Sequence, residues 1–234
     1  MNNGSDEITP KQWLIQSLKK QGILKSKIVE NALMEVPREE FLWNLNERAL
    51  AYLDEPQQLG STGQTISAPH MVVIMLEELE LEPGMHVLEV GAGSGYNAAL
   101  IAHIVSRNQK EPQKLVVAVE QDQELAQFAS RNIKRVELEN WIEIVHGDGS
   151  LGYPEMKDEE IYDRIVVAAS APSIPQLLKS QLKDGGVLEM PVGNALVQML
   201  VKLRKIGHGT GAIFKEKKLM SCTFVPLLRG KVRA

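Results

Sequence analysis

A serine, three carboxylates and a run of alternating glycines are the groups of this 234-residue chain best placed to do chemistry. The glycines stand in residues 87–96, VLEVGAGSGY, where an apolar run reaches Glu89 and Gly91, Gly93 and Gly95 follow at alternate positions. Glycine tolerates positive φ and leaves the backbone bare, so a ligand can approach the main chain itself. Glu120 ends a second apolar run, where an acid can grip the two hydroxyls of a ribose. Its spacing from the glycines fits the expected ~20 residues or slightly more. The plainer job, a charge at a helix N-terminus, is already filled by Asp122. Asp148, in the loop HGDGSLGYPE, can accept from an adenine amino group or merely close an Asx turn before Gly149. In the stretch GQTISAPHM, Ser67 or Ala68 is the N-cap of the helix that follows, and Ser67 either serves as that plain capping serine or meets a substrate.

The glycine spacing discriminates between ligands. A dinucleotide fingerprint, G-x-G-x-x-G, needs a third glycine where helix and strand pack closely. Counted from Gly91, that position is the bulky Tyr96. A G-x-G-x-G loop with an acid two residues upstream is the pattern of S-adenosylmethionine (SAM) methyltransferases. SAM has no pyrophosphate, so the anion-cradling use of a helix N-terminus is not needed. The net charge of −4 gives no electrostatic reason to expect nucleic acid. Five histidines with no H-x-x-x-H or H-E-x-x-H spacing predict no metal site. The single cysteine, Cys222, excludes an internal disulfide and a multi-thiolate site. The polar start, MNNGSDEITP, does not read as a signal peptide, and no apolar run approaches membrane-spanning length. The expectation is a cytoplasmic protein.

Several elements must position these groups. The run before Glu89, the glycine turn and the helical pattern Ala98, Ala99, Ile101, Ala102, Val105 open a doubly wound α/β unit. Further strands are expected over 115–119, 142–145 and 163–169, the last buried on both faces by its composition. Helices are expected up to Arg107, over 122–136, and after Pro175 with Leu177, Leu178 and Leu182 on one element. The late strands, 187–192, 197–203 and 220–228, lack long helices between them, so that part of the sheet is antiparallel. Asp184-Gly185-Gly186 reads as a turn. Near the start, Thr9-Pro10 begins a helix with Trp13, Leu14 and Leu18 that stops at Gly22, and a second starts at Ser26. Residues 53–71 read as a loop too polar for regular structure, and a loop that long is more often functional than idle. The fold class is α/β: a doubly wound, mostly parallel sheet with helices on both faces, an N-terminal helical extension and antiparallel C-terminal strands. Residues 1–80 form the extension and substrate loop, packed on a core of 81–234 in one structural domain. Lys202, Arg204, Lys205, Lys215, Lys217 and Lys218 read as solvated strand ends, and Cys222 as core filler.

Taken together, GQTISAPHM, preceded by VPREEF and AYLDEP and followed by LEVGAGSGY, GDGSLGYPE, DGGVLEMPVG and FVPL, resembles the protein-L-isoaspartate O-methyltransferase family. The likeness runs over roughly residues 36–228, in family order. It implies a SAM-dependent Rossmann-like methyltransferase that leaves S-adenosyl-L-homocysteine. The acceptor would be the free α-carboxyl of an L-isoaspartyl residue in an age-damaged protein, with repair proceeding through a succinimide. Partners would be isoaspartyl-containing proteins and peptides, with neither nucleic acid nor membrane, and the chain would be a monomer. By position, Ser67 matches the family's active-site serine. Ile66, Glu89, Gly91, Ala92, Gly93 and Gly95 match cofactor-binding positions, as do Glu120 with Gln121 and Asp148 with Gly149. Thr65, His70 and Val72 match the substrate side, the last two as a wall beside the methyl group. Leu228 stands where some relatives place a polar cofactor contact.

The chemistry needs little proton transfer. An α-carboxyl has a pKa of roughly 3.3–3.7 and is ionised at neutral pH. Orientation and water exclusion must then do most of the work, worth up to ~7–11 kcal/mol in good near-attack geometry. A hydroxyl donating to the nucleophile dulls it, so Ser67 positions the acceptor rather than activating it. Other readings stand beside this one: a carboxyl methyltransferase acting on a dedicated peptide, or a SAM-binding protein without turnover. Amine-directed enzymes commonly carry (Asn/Asp)-Pro-Pro-(Tyr/Phe), where this chain has Ala168-Ala169-Ser170-Ala171-Pro172.

Overall fold

The first helix is fixed by a capping box. Thr9 accepts from the Gln12 amide while the Gln12 side chain accepts from the Thr9 amide, and Pro10 opens α1 (Pro10–Lys20). Ser26 caps α2 (Lys27–Glu35), and a 3-10 turn, Arg38–Phe41, buries Phe41. The computed structural model describes residues 8–228 and 230, with the Leu45 side chain left aside. Residues 53–71 depart from expectation. Two short strands, β1 (Gln57–Gln58) and β2 (Thr65–Ile66), pair antiparallel and turn this stretch into a hairpin. Polar composition hid it, because only Ile66 of the paired residues is buried.

Helix α3 (Pro69–Glu78) follows, then β3 (Val87–Val90), α4 (Tyr96–Val105), β4 (Val116–Glu120), α5 (Gln123–Arg135) and β5 (Ile142–His146). The chain continues through β6 (Tyr162–Val167), α6 (Gln176–Ser180), β7 (Leu182–Gly193), β8 (Gln198–Ile206) and β9 (Ile213–Cys222). The main sheet runs β5-β4-β3-β6-β7-β8-β9. Pairs from β5 through β7 are parallel, and β8 and β9 are antiparallel. Winding starts at β3, goes outward to β4 and β5, then returns to β6 and β7. The direction therefore reverses between β3 and β6, and a crevice opens at the carboxyl ends of those strands.

All four residues of β3 are buried, as a two-sided parallel strand requires. Val87 joins the core shared with α1–α5, whereas Leu88 and Val90 join a second core with Leu178 of α6. Leu14, Leu33 and Leu76 belong to the first core, so the N-terminal helices share it rather than building their own.

Other expectations fail for local reasons. Leu182 is the first residue of β7, not the end of a helix, because α6 spans only five residues. Asp184-Gly185-Gly186 lies within β7 as a bulge: Tyr162 pairs with Leu182 and Arg164 with Val187. The last strand ends at Cys222, and residues 223–228 run on as a strap that bridges from Pro226 to Ser170, beyond the end of β6, and is held by Gln198 of β8. Lys202 and Lys205 are buried rather than solvated. Lys205 Nζ donates to Glu160 at 3.0 Å and to the Leu182 carbonyl at 2.7 Å. Lys202 is held by Glu78 at 3.1 Å and Glu80 at 2.7 Å. Across the ladder from it, Glu189 has no partner on either oxygen, and burial pushes its carboxyl well above the usual range. Alternation along a strand cannot reveal a charge turned inward when its partners lie 122 and 124 positions away, as for Lys202.

Candidate active site

A crevice of about 690 Å³ opens above β3, β4 and β6. Gly91 and Gly93 form its floor, Glu120, Gln121 and Asp148 one side, and Ser67 and His70 another. The loop is tight: the Gly91 and Ala92 amides both donate to the Val119 carbonyl, and Gly91, Gly93 and Gly95 have φ of 92°, 54° and 84°. Side chains at these φ values would be strained, and the bare backbone faces the crevice. From α5, Asn132 Nδ2 donates to the Ser94 carbonyl at 3.0 Å and pins the loop from behind.

Ser67 sits between β2 and α3. It is not the helix cap: Ala68 takes that place and gives no side-chain bond. Pro69 in the first turn lacks the amide that a capping hydroxyl would serve. The Ser67 hydroxyl thus has no partner among the described residues and lines the crevice. One turn on, the His70 amide and Nδ1 both meet Asp54 Oδ1, at 2.8 and 2.9 Å. The bond to Asp54 fixes the His70 ring, and His70 also lines the crevice. Thr65 lines the crevice too, but Ile66 and Val72 do not. They border an adjoining small cavity of about 50 Å³, together with Glu89 and Ala92, and Thr65, Ser67, Gly91 and Gly93 line both spaces. Gly95 borders neither.

Glu120 is 6% exposed, and its oxygens are each engaged once: Gly93 N donates to Oε2 at 2.8 Å and Asp122 N to Oε1 at 3.0 Å. A carboxylate has about four acceptor sites, so two remain. Burial pushes the Glu120 carboxyl up, while the backbone amides of Asp122, Gly93 and Gln121 pull it back. Beside it, Gln121 Nε2 is buried with no partner. Asp148 does close an Asx-type turn, accepting from Ser150 N at 2.9 Å, and also accepts from Gly230 N at 2.7 Å. Gly149 is explained by packing. A Cβ there would stand 2.6 Å from Val90 Cγ1, in the core under the crevice floor. Gly149→Ala is expected to destabilise the fold by ~1–3 kcal/mol through overpacking, read as a lower unfolding midpoint in urea.

Glu89 is buried, with Asn97 Nδ2 donating to Oε1 at 2.8 Å and Oε2 facing no partner. Burial, helped by the nearby Glu120 charge, pushes its carboxyl up to about 8. Between the ordinary value of 4.5 and about 8 the folded state holds a proton that the unfolded state has lost. Stability from this group is therefore complete below the lower value and disappears as pH rises through the upper one. Glu89→Gln keeps the Asn97 bond and removes the titration. The melting temperature of the variant should fall less than that of the wild type between pH 6 and 9, and parallel curves would contradict this.

The far wall of the crevice is the segment 220–228. Gln198 clamps it on both sides of one residue, Nε2 donating to Phe224 O at 3.0 Å and Oε1 accepting from Phe224 N at 2.7 Å. Ser170 N donates to Val225 O at 2.8 Å and Ser170 O accepts from Leu227 N at 2.7 Å. Cys222 is half-buried: it packs against the main core and also borders this wall, and Leu228 borders the crevice as well. The residues that sequence reasoning missed are Asp54, Asn132, Ser170 and Gln198. Only Asp54 had a signal, since it stands inside the motif AYLDEP. Among the described residues no three His, Cys, Asp or Glu side chains gather as a metal site, and no helix is long and apolar enough to cross a membrane.

Residues 9–232 match the family model described as protein-L-isoaspartate(D-aspartate) O-methyltransferase. A protein-L-isoaspartate O-methyltransferase of Staphylothermus marinus is 45% identical over 215 residues, 92% of each chain. That of Pyrococcus horikoshii is 45% identical over 92% of this chain and 90% of its own length. A solved structure from Plasmodium falciparum, described as a beta-aspartate methyltransferase (PCMT) in complex with S-adenosyl-L-homocysteine, is 30% identical with a TM-score of 0.78. It is matched over 93% of this chain and 98% of its own. A glycine floor, a buried acid at the end of β4 and a free serine hydroxyl share one crevice in a chain that the family model matches over residues 9–232, and this protein belongs to the protein-L-isoaspartate(D-aspartate) O-methyltransferase family.

Proposed function

We propose that this chain carries out its family's reaction by aligning an ionised carboxyl, with Ser67 as the residue that steers it. The protein is a SAM-dependent protein-L-isoaspartate O-methyltransferase. SAM, when bound, supplies a methyl group on a sulfonium centre. The residues present fit such a ligand: the crevice holds a buried donor, Gln121 Nε2, and the adjoining cavity a buried acceptor, Glu89 Oε2, both without partners. Glu120 would take the ribose hydroxyls on its two remaining acceptor sites, and Asp148 the adenine amino group. The glycine loop, with Ala92, lets the ligand lie against the main chain. Glu89 would face its cationic end, while Ile66 and Val72 line the small cavity. Thr65 and His70 would line the acceptor side.

Ser67 donates from its free hydroxyl to one carboxylate oxygen, leaving the other oxygen to form the new bond. No proton leaves the acceptor, because it is already ionised. The observation that carries the proposal is that this hydroxyl, free of any capping bond, lines the same crevice as Glu120 and the bare glycines. The same proposal takes the chain as a cytoplasmic monomer, consistent with its one free thiol. The test is methyl-labelled SAM with an isoaspartyl peptide and its aspartyl twin. Base-labile label, released as methanol, is expected on the isoaspartyl peptide alone. Equal labelling of both, or of neither, would overturn the proposal.

A further inference from the structure

We propose that Arg38 is a positioning residue that holds Ser67 in place through its main chain; this rests on Ser67 meeting the acceptor carboxyl. Arg38 opens the 3-10 turn of the VPREEF stretch and is 1% exposed. Its Nε donates to the Ala51 carbonyl at 2.9 Å, and its Nη2 donates to the Ser67 carbonyl at 2.8 Å. The guanidinium carbon lies 4.9 Å from the ring centre of Tyr96, the first residue of α4. One planar cation thus ties together the N-terminal extension, the segment carrying Ser67 and the helix leaving the glycine loop.

The bond from Arg38 is the only hydrogen bond of Ser67 among the described residues. β2 ends one residue earlier and the first α3 bonds start from the carbonyl of Ala68, so neither element holds the Ser67 peptide. Without the guanidinium the segment could turn its hydroxyl away from the crevice at little cost.

The cation is also placed at a loss. No carboxylate lies within ion-pair distance among the described residues, and Nη1 is buried with no partner. Unpaired buried charge is costly, and an apolar side chain of similar volume commonly serves stability better. Violations of this kind concentrate where function needs the group. Only arginine offers two divergent N–H donors and a flat face for stacking; lysine offers a point charge that reaches one carbonyl and cannot stack.

The test is a double-mutant cycle in the full chain. Arg38→Met, Arg38→Lys, Ser67→Ala and the pair Ser67→Ala with Arg38→Met are assayed with SAM and an isoaspartyl peptide, and SAM affinity is measured by calorimetry. Arg38→Met is expected to lower kcat by ~10- to 100-fold, the scale of a misplaced reacting group, with Arg38→Lys between it and the wild type. SAM affinity should move by no more than about threefold, and in the Ser67→Ala background the further loss from Arg38→Met should also shrink to about threefold. A merely structural role would lower the melting temperature and leave kcat per folded molecule intact, which overturns the inference. So does a loss that multiplies fully with that of Ser67→Ala. Arg38→Lys keeps the charge and serves if Arg38→Met does not fold; wild-type kcat in that variant overturns the inference as well. A silent Ser67→Ala sinks the role of Ser67 itself, whereas a slow Ser67→Ala beside a silent Arg38→Met sinks only the role of Arg38.

Discussion

Ser67→Ala is expected to lower kcat/KM for an isoaspartyl peptide by ~10- to 1000-fold while SAM still binds. The range follows from what the hydroxyl does. It accepts no capping amide and supports no other side chain, so removing it leaves the hairpin β1–β2 and helix α3 intact. The loss should fall on the acceptor alone. A carboxylate held by one donor has a defined free oxygen; one held by none samples many orientations, few of them in line with the methyl group. Because the substitution removes no proton acceptor, the shape of the pH–rate profile should not change. Steady-state kinetics with calorimetry on the same preparation separates the two terms. An unchanged rate would remove Ser67 from the mechanism, and lost SAM binding would reassign it to the cofactor side.

Glu120→Gln should act in the opposite way, weakening SAM affinity by ~10- to 100-fold, as expected when hydrogen bonds to a charged acceptor are lost. The argument lies in two backbone amides. Gly93 N and Asp122 N each point at one Glu120 oxygen. Replacing either oxygen by NH2 sets a donor against a donor, and at Gly93 this disturbs the loop that forms the crevice floor. The substitution therefore removes charge, one acceptor and the anchoring of the glycine turn together. At saturating SAM the rate on peptide should recover most of its wild-type value, since the proposal puts Glu120 on the cofactor side. Calorimetric titration checks this, and wild-type affinity in the variant would show that the acid at the end of β4 does not grip the ribose.

Much of the fold is legible because the groups involved signal locally. The strand–glycine–helix unit of β3 and α4 depends on apolar runs and on glycines whose φ values no other residue adopts easily. The caps at Thr9, Ser26 and Asp122 are set by residues three positions apart. What escaped is held by partners distant in sequence. Gln198 reaches Phe224, Asn132 reaches Ser94, and Arg38 reaches Ser67, across 26, 38 and 29 positions. Lys205 looked solvated because Lys202 and Arg204 precede it, yet Glu160 and a strand carbonyl receive it inside. Val72 was legible as a buried residue of α3, and the structure adds that it borders the small cavity that Ser67 and Gly91 also line. For Asp148 the turn reading holds, and the turn it closes leaves the residue at the edge of the crevice.

A structure of the protein with S-adenosyl-L-homocysteine and an isoaspartyl peptide tests alignment most directly. The expected result is the peptide α-carboxylate ~2.7 Å from the Ser67 hydroxyl, as for an O–H···O bond, with its second oxygen turned toward the thioether sulfur. A carboxylate bound away from Ser67, or one whose free oxygen points at solvent, would contradict steering by that hydroxyl.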